Sequence, residues 1–242
     1  MTHPKPQPAH RTLSDKTFEQ LRDLIVRGRM PSGSRVVEAE IAIRFGVSRT
    51  PVREAIARLE HEGFVVAVSQ TRRTEVVVTS LTVESVRELW GMIGALEAYA
   101  VEAVASLPSP RRVLLASDLE RLNVELRSAA KARPRDPDHL FVLQTAFHAR
   151  FVYEEPGPYF TRVYETIRPQ VQRYEWAYGT HLDAEYEPST QEHLAIIAAI
   201  IAGDSGAARE AVLSHWAKAA VRTVATIEGA DARPASRRKS ST

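Results

Sequence analysis

Apolar residues change their spacing along the chain, and the changes divide it. Phe18, Leu21, Leu24 and Ile25 recur at helical intervals, and Ser14 is placed to cap a helix that runs to about Arg27 and stops at Gly28. Met30-Pro31-Ser32-Gly33 reads as a turn and Arg35-Val36-Val37 as a short strand. A second helix is predicted over 38–45, ending at Gly46, and a third from Val47-Ser48 to near Gly63. Two alternating, β-branched runs at 64–69 and 75–79 then flank residues 70–74, which is the pattern of a hairpin. Beyond Ser80 the strand signal fades. Six helical stretches follow, near 82–106, 110–132, 137–154, 158–179, 188–203 and 205–228, with prolines in several of the gaps. The fold class expected is mainly α: an N-terminal winged helix-turn-helix over 13–79 and a C-terminal antiparallel all-α helical bundle over 80–228. Residues 1–12 are expected to form a flexible arm and 229–242 a disordered basic tail.

Charge sharpens this division. The net charge of +2 over 242 residues is uneven: residues 1–78 carry +4, residues 79–228 carry −5 and residues 229–242 carry +3. A basic head beside an acidic body suits a DNA-binding module joined to a sensing or dimerising one. The chain has no cysteine, which excludes disulfides, iron–sulfur clusters and a thiol nucleophile. Its first residues lack the apolar core of a signal peptide, and the longest apolar run, 194–202, is too short to span a bilayer. A soluble, cytoplasmic protein with no membrane partner is expected, associated with the nucleoid when bound to DNA.

The predicted third helix carries the features of a groove-reading helix. Ser48 stands at its cap position, so its first-turn amides point outward, where they attract phosphate. Pro51 is harmless in a first turn. Arg49 and Arg53, four apart, share a face, and arginine is suited to bidentate contact with guanine. The strings MPSGSRVVEAEIA (Met30 to Ala42) and GVSRTPVREAIARLEHEG (Gly46 to Gly63) resemble the GntR family of transcription regulators in order and spacing. That resemblance implies that Arg35, Ser48, Arg49, Thr50 and Arg53 face operator DNA, with Arg35 on a phosphate. Wings of this family usually carry a glycine at the hairpin tip, whereas residues 70–73 here have none. Arg72 and Arg73 are candidates for minor-groove or phosphate contact in its place; a plain solvated hairpin is the alternative.

In the second half, Gln144 and His148 lie four apart on one helix, and His193 and His215 on two later, adjacent ones. Three imidazoles meeting inside a bundle make a site for one divalent transition metal such as zinc or nickel, with positions left for water or ligand; satisfied core histidines are the alternative. The motifs Phe147-His148, Glu192-His193-Leu194, Ala199-Ile200, Gly203-Asp204 and His215 resemble the FCD effector domain of the FadR subgroup, and six helices resemble its VanR-like branch. The resemblance implies a homodimer that reads a short palindrome and a repressor relieved by a small-molecule effector rather than an enzyme. The helical domain, with apolar faces such as 194–202, is expected to supply most of the dimer contact.

Two departures stand out. Gln144 occupies a position where metal-binding members usually have aspartate, and Ile93, four before Glu97, one where an effector-pairing arginine is common. Arg150 is therefore a candidate for the effector, with Arg162, Arg168 and Arg173 as further substitutes by count. Tyr174, one of a cluster with Tyr159, Tyr164, Trp176 and Tyr178, is a candidate for the pocket lining, with ordinary packing as the alternative. On one helix Trp176 and Tyr178 are not expected both to face the core. A three-histidine metalloenzyme and an architectural protein without effector are the other classes. Against the first, Glu192 is expected to point away from the histidines, leaving no general base near them.

Overall fold

The computed structural model describes residues 11–70, 73–179 and 186–231 and divides into two compact units between Ser80 and Leu81. In the first unit, α1 (Leu13–Val26), α2 (Glu38–Phe45) and α3 (Arg49–His61) precede a hairpin of β1 (Val65–Gln70) and β2 (Arg73–Val78). Helix α1 is capped by Thr12 rather than Ser14. Thr12 and Asp15 form a reciprocal capping box, which satisfies two end donors at once and so outcompetes a single cap two residues along. Gly46 closes α2 in the left-handed region (φ 66°), where a side chain would be strained. Phe18, Leu21, Val52, Leu59 and Phe64 form the buried centre of this unit. The guanidinium of Arg58 lies 3.8 Å above the Phe18 ring, sealing that centre with a cation–π contact. The hairpin is tighter at its tip than the sequence pattern suggested, pairing Val65 with Val78 through to Gln70 with Arg73. Arg35 adds one bridge to Val77, less than the short strand expected there.

The second unit is the helical bundle. Its helices are α4 (Val83–Ala105), α5 (Ser109–Lys131), α6 (Pro137–Val152), α7 (Pro158–Tyr174), α8 (Tyr186–Ala202) and α9 (Ser205–Asp231). Their inner faces bury Ile93, Leu115, Leu119, Phe147, Phe151, Ile196, Ile200 and Trp216. Helix α4 packs closely on α9 because Gly94 has no side chain: a Cβ there would stand 3.1 Å from the Cβ of Trp216. The helix predicted over 158–179 does not stay α-helical. It ends at Tyr174 and continues as a π turn over Glu175–Gly179. The wider turn relaxes the constraint placed on Trp176 and Tyr178. Both are part-buried, with Trp176 edge-on to Phe141 at 5.4 Å and Tyr178 tilted against Tyr174 at 6.4 Å. In the apolar run 194–202, Ile196, Ile197 and Ile200 fill the bundle's own core, while Leu194 and Ile201 stay exposed. Among the described residues no helix is long and apolar enough to cross a membrane.

Candidate functional sites

Helix α3 presents Arg49, Thr50 and Arg53 on its exposed side, opposite the buried Val52, Ala55, Ile56 and Leu59. Ser48 occupies the cap position with extended backbone, but its side chain makes no capping bond, contrary to the role expected of it. Two of the arginines are held by carboxylates. Arg53 donates to Glu38 at 2.7 Å, and Arg35 pairs with Glu75 at 2.8 Å. The arginine side chains of these pairs are more than 60% exposed, so each is worth at most about 1 kcal/mol and yields readily to a phosphate or base edge. Arg72 lies outside the described residues, and Arg73 is placed only as the first residue of β2.

In the bundle, one ring nitrogen each from His148 on α6, His193 on α8 and His215 on α9 comes within 4.8 Å of the others. All three residues are buried. Each ring is oriented from behind. Glu97 accepts from His148 Nδ1 at 2.7 Å, and Glu192 accepts from His215 Nδ1 at 2.9 Å. Asn123 donates its amide to the Thr190 carbonyl at 3.0 Å, which turns its Oδ1 toward His193 Nδ1, also at 3.0 Å. An oxygen acceptor at each Nδ1 fixes the proton there in the neutral ring and leaves the lone pair on Nε2. The Nε2 atoms of His193 and His215 are buried without a partner, as is Gln144 Oε1, while Gln144 Nε2 sits 3.2 Å from His148 Nε2. Three imidazole nitrogens, oriented by second partners and two of them unsatisfied, fit a borderline divalent cation, and a turn of the Gln144 amide would offer its oxygen in place of the nitrogen now at His148.

The electrostatics favour neutral rings at His193 and His215 and ionised carboxylates at Glu97 and Glu192. Burial, reinforced by the neighbouring histidines, drives His193 well below its usual range, and burial lowers His215 despite Glu192. Burial resists ionisation of Glu192, but the bonds from His215 and Arg222 prevail and hold it at about 2. Glu97 is likewise held down against burial by His148, with Arg168 and the Trp216 indole assisting.

A pocket open to solvent lies beside the histidines, enclosing about 600 Å³ when the solvent at its mouth is included. His215 and Gln144 form its polar floor, Trp90, Phe141 and Trp216 its flat apolar walls, and Glu175 and Arg222 its charged wall. Several expectations are corrected here. Arg150 is not at the cavity: it is tied to Asp118 at 2.9 Å and Glu154 at 2.6 Å by side chains of its own α5–α6 surface. Tyr174 is one layer behind the lining. It packs edge-on against Trp90 at 5.6 Å and bonds through its hydroxyl to the Thr82 backbone N–H at 3.0 Å, at the cap of α4. Ile93 is fully buried, and the cavity's cation is Arg222, bidentate on Glu192 at 2.7 and 3.0 Å. Glu192 does not point away from the cluster. Its own helix carries it away from His193, but α9 packs against α8 and brings His215 to it. Arg168 is buried and paired with Glu175 at 2.9 Å, and Arg173 is buried, while Arg162 is exposed. The sequence reading gave Glu97, Asn123, Trp90, Glu175 and Arg222 no role in the site. Glu97 and Asn123 each leave a signal, as a lone polar residue within an apolar stripe (Ile93-x-x-x-Glu97-x-x-x-Val101 and Leu119-x-x-x-Asn123).

Comparison with known proteins bears on both units. The sequence model described as bacterial regulatory proteins, gntR family, matches residues 13–76, and that of the FCD domain matches residues 88–218. The HTH-type transcriptional regulator YdhC of Bacillus subtilis is 28% identical over 199 residues, 82% of this chain and 85% of YdhC. The gluconate operon transcriptional repressor of the same organism is 26% identical over 156 residues, 64% of this chain and 60% of the repressor. Among solved structures, E. coli McbR/YncC shares the fold with a TM-score of 0.72 at 18% identity, covering 89% of this chain and 99% of that one. A GntR transcriptional regulator from Rhodococcus sp. RHA1 does so with a TM-score of 0.68 at 20% identity, covering 88% and 97%.

Proposed function

The chain belongs to the GntR family of transcription regulators and carries an FCD effector domain, and on that premise we propose that it is a repressor whose helical domain reads a metabolite through a bound divalent metal. Residues 13–79 bind the operator, with Arg49, Thr50 and Arg53 of α3 toward base edges and Ser48 and Arg35 toward phosphates. Two copies, paired through the helical domains of residues 80–228, read the two halves of a palindrome in the cytoplasm.

The observation that carries the metal reading is the orientation of the histidines. Three rings meet with their Nδ1 atoms held by Glu97, Asn123 and Glu192, and two of the inward Nε2 atoms are buried without a partner. His148, His193 and His215 would hold the ion, with Gln144 as a weak neutral fourth ligand. When bound, the ion supplies open coordination positions for ligand oxygens at the mouth of the cavity. The chain's own residues do the rest: Trp90, Phe141 and Trp216 enclose the ligand, and Arg222 keeps Glu192 aimed at His215. A hydrolytic enzyme is disfavoured because both carboxylates that touch the histidines are occupied as acceptors of their Nδ1 protons, which leaves neither as a base for water.

Elemental analysis of the purified protein, before and after a chelator wash, tests this directly. About one transition metal per chain is expected, lost in His193→Ala, with operator affinity altered when a metal-binding acid is added to the loaded protein. Full metal occupancy in His193→Ala would rule that histidine out, and a metal-free wild type that refuses added zinc and nickel would overturn the metal reading.

A further inference from the structure

The chain passes from one compact unit to the other between two anchored threonines. Thr79 closes the first unit: its N–H donates to the Phe64 carbonyl at 3.0 Å, and its hydroxyl to the Gly63 carbonyl, also at 3.0 Å. Thr82 opens the second as the cap of α4, where its hydroxyl accepts from the Ser85 N–H at 3.2 Å. Its backbone is held as well. The Tyr174 hydroxyl accepts from the Thr82 N–H at 3.0 Å and donates to the Thr82 carbonyl at 3.3 Å. One phenol, 92 residues along the chain, thus takes both backbone groups of the residue at which α4 begins.

Helix α4 has no carbonyl to offer the Thr82 N–H, which would otherwise turn to water. The Tyr174 ring is fixed independently of its hydroxyl. It is 2% exposed, edge-on to Trp90 at 5.6 Å and tilted against Tyr178 at 6.4 Å. A buried tyrosine hydroxyl must find partners, and this one finds them at Thr82. Between the two anchors lie Ser80, exposed, and Leu81, part-buried against the bundle. From Thr79 to Thr82 such a hinge spans about 10–11 Å at full extension. Without the Tyr174 bonds the first turn of α4 can fray, and the first fully buried side chain of the helix is Val86. The loose stretch then grows from residues 80–81 to residues 80–85, about threefold.

We infer that Tyr174 is a latch that sets the length of the hinge between the DNA-binding unit and the bundle, and through it how strictly two copies measure the distance between half-sites. The inference rests on the reading of two copies on a palindrome given above, and it involves neither the metal nor a ligand. Two heads on short tethers meet their half-sites at a high effective concentration over a narrow range of spacings. That concentration falls roughly as the −3/2 power of tether length, so a tether about three times longer lowers affinity at the best spacing about fivefold and flattens the dependence on spacing.

The test uses the full-length protein and a palindrome selected in vitro from random DNA, with versions whose half-sites stand one or two base pairs closer or farther apart, and a lone half-site. Anisotropy titration of the wild type should show a sharp optimum in spacing. Tyr174→Phe keeps the ring against Trp90 and removes the hydroxyl. It should bind about fivefold more weakly at that optimum, show a flattened spacing profile and bind the lone half-site as the wild type does. Its Thr82 amide should exchange severalfold faster with solvent deuterium. Two glycines inserted between Ser80 and Leu81 lengthen the hinge without touching the bundle and should flatten the profile in the same way. A Tyr174→Phe profile as sharp as the wild type's would overturn the inference, whatever the insertion does. Weaker binding of the lone half-site by Tyr174→Phe would mark a folding defect, and the insertion then decides: a sharp profile there overturns the inference, and a flattened one supports it. A wild type that binds the lone half-site as tightly as the palindrome would remove the two-copy reading and this inference with it.

Discussion

Asn123 tests whether the orientation of the histidines, and not merely their presence, makes the site. Among the described residues its Oδ1 is the acceptor that holds His193 Nδ1, and its amide nitrogen is anchored on Thr190 O. Asn123→Leu keeps the volume and removes both bonds. The His193 ring is then free to carry its proton on Nε2, where it blocks a metal. Losing such a second partner typically weakens metal binding about 10–100-fold, or roughly 1.4–2.7 kcal/mol. This propagates into stability by mass action. With free zinc at about 100 times the wild-type dissociation constant, the metal stabilises the wild type by about 2.7 kcal/mol, and the variant by only about 0.4–1.4 kcal/mol. Competition against a chromophoric chelator measures the affinity, and melting with and without zinc measures the linked stabilisation. Asn123→Asp restores the acceptor and should recover most of the affinity. Equal zinc affinity in wild type and Asn123→Leu would refute the view that Asn123 sets the His193 tautomer.

Other outcomes follow from the same structure. Arg49→Ala should cost about 1–3 kcal/mol on the operator and little on random DNA, whereas Arg35→Ala should weaken both alike and reduce the salt slope by about one, both read by anisotropy titration. In chelator, the melting temperature should fall as pH drops below about 6.5. The unfolded chain takes up protons on His193 and His215 there, which the fold refuses because burial depresses both groups, so the unfolded state gains stability on acidification. A flat melting temperature between pH 7.5 and 5.5 would contradict the neutral, buried rings. Gly94→Ala should destabilise by roughly 1–3 kcal/mol, since its Cβ must push Trp216 back by a few tenths of an ångström, and urea unfolding checks this.

The order of elements was legible from periodicity because most helices here bury a single stripe, and Gly28, Gly46, Gly63 and Gly203 mark their ends with left-handed backbone. The π turn was not, because nothing in the string EWAYG distinguishes hydrogen bonds spanning five residues from bonds spanning four. The three histidines could be proposed from sequence because they sit on inward helical positions. Their supports could not. Glu192 reaches His215 across a helix–helix contact, and Arg222 reaches Glu192 from 30 residues away, so neither pairing exists until α8 and α9 are packed. Arg150 was misjudged for the same reason in reverse: counting cations does not reveal that Asp118, on another helix, already holds it.

The π turn also bears on how this protein diverges from its relatives. Elsewhere in a helix, adding or removing one residue turns everything beyond it by about 100° and strips the buried face from the core. At Glu175–Gly179 the helix already accommodates an extra residue, and α7 ends there rather than continuing into the bundle. A single-codon insertion or deletion at this point would re-aim Glu175 and its neighbours on the cavity wall while α4, α5, α6, α8 and α9, which carry the histidines and their supports, keep their register. Under the proposed function, ligand preference could therefore drift by length change, a route that point substitution in a packed bundle does not offer, without touching the three histidines.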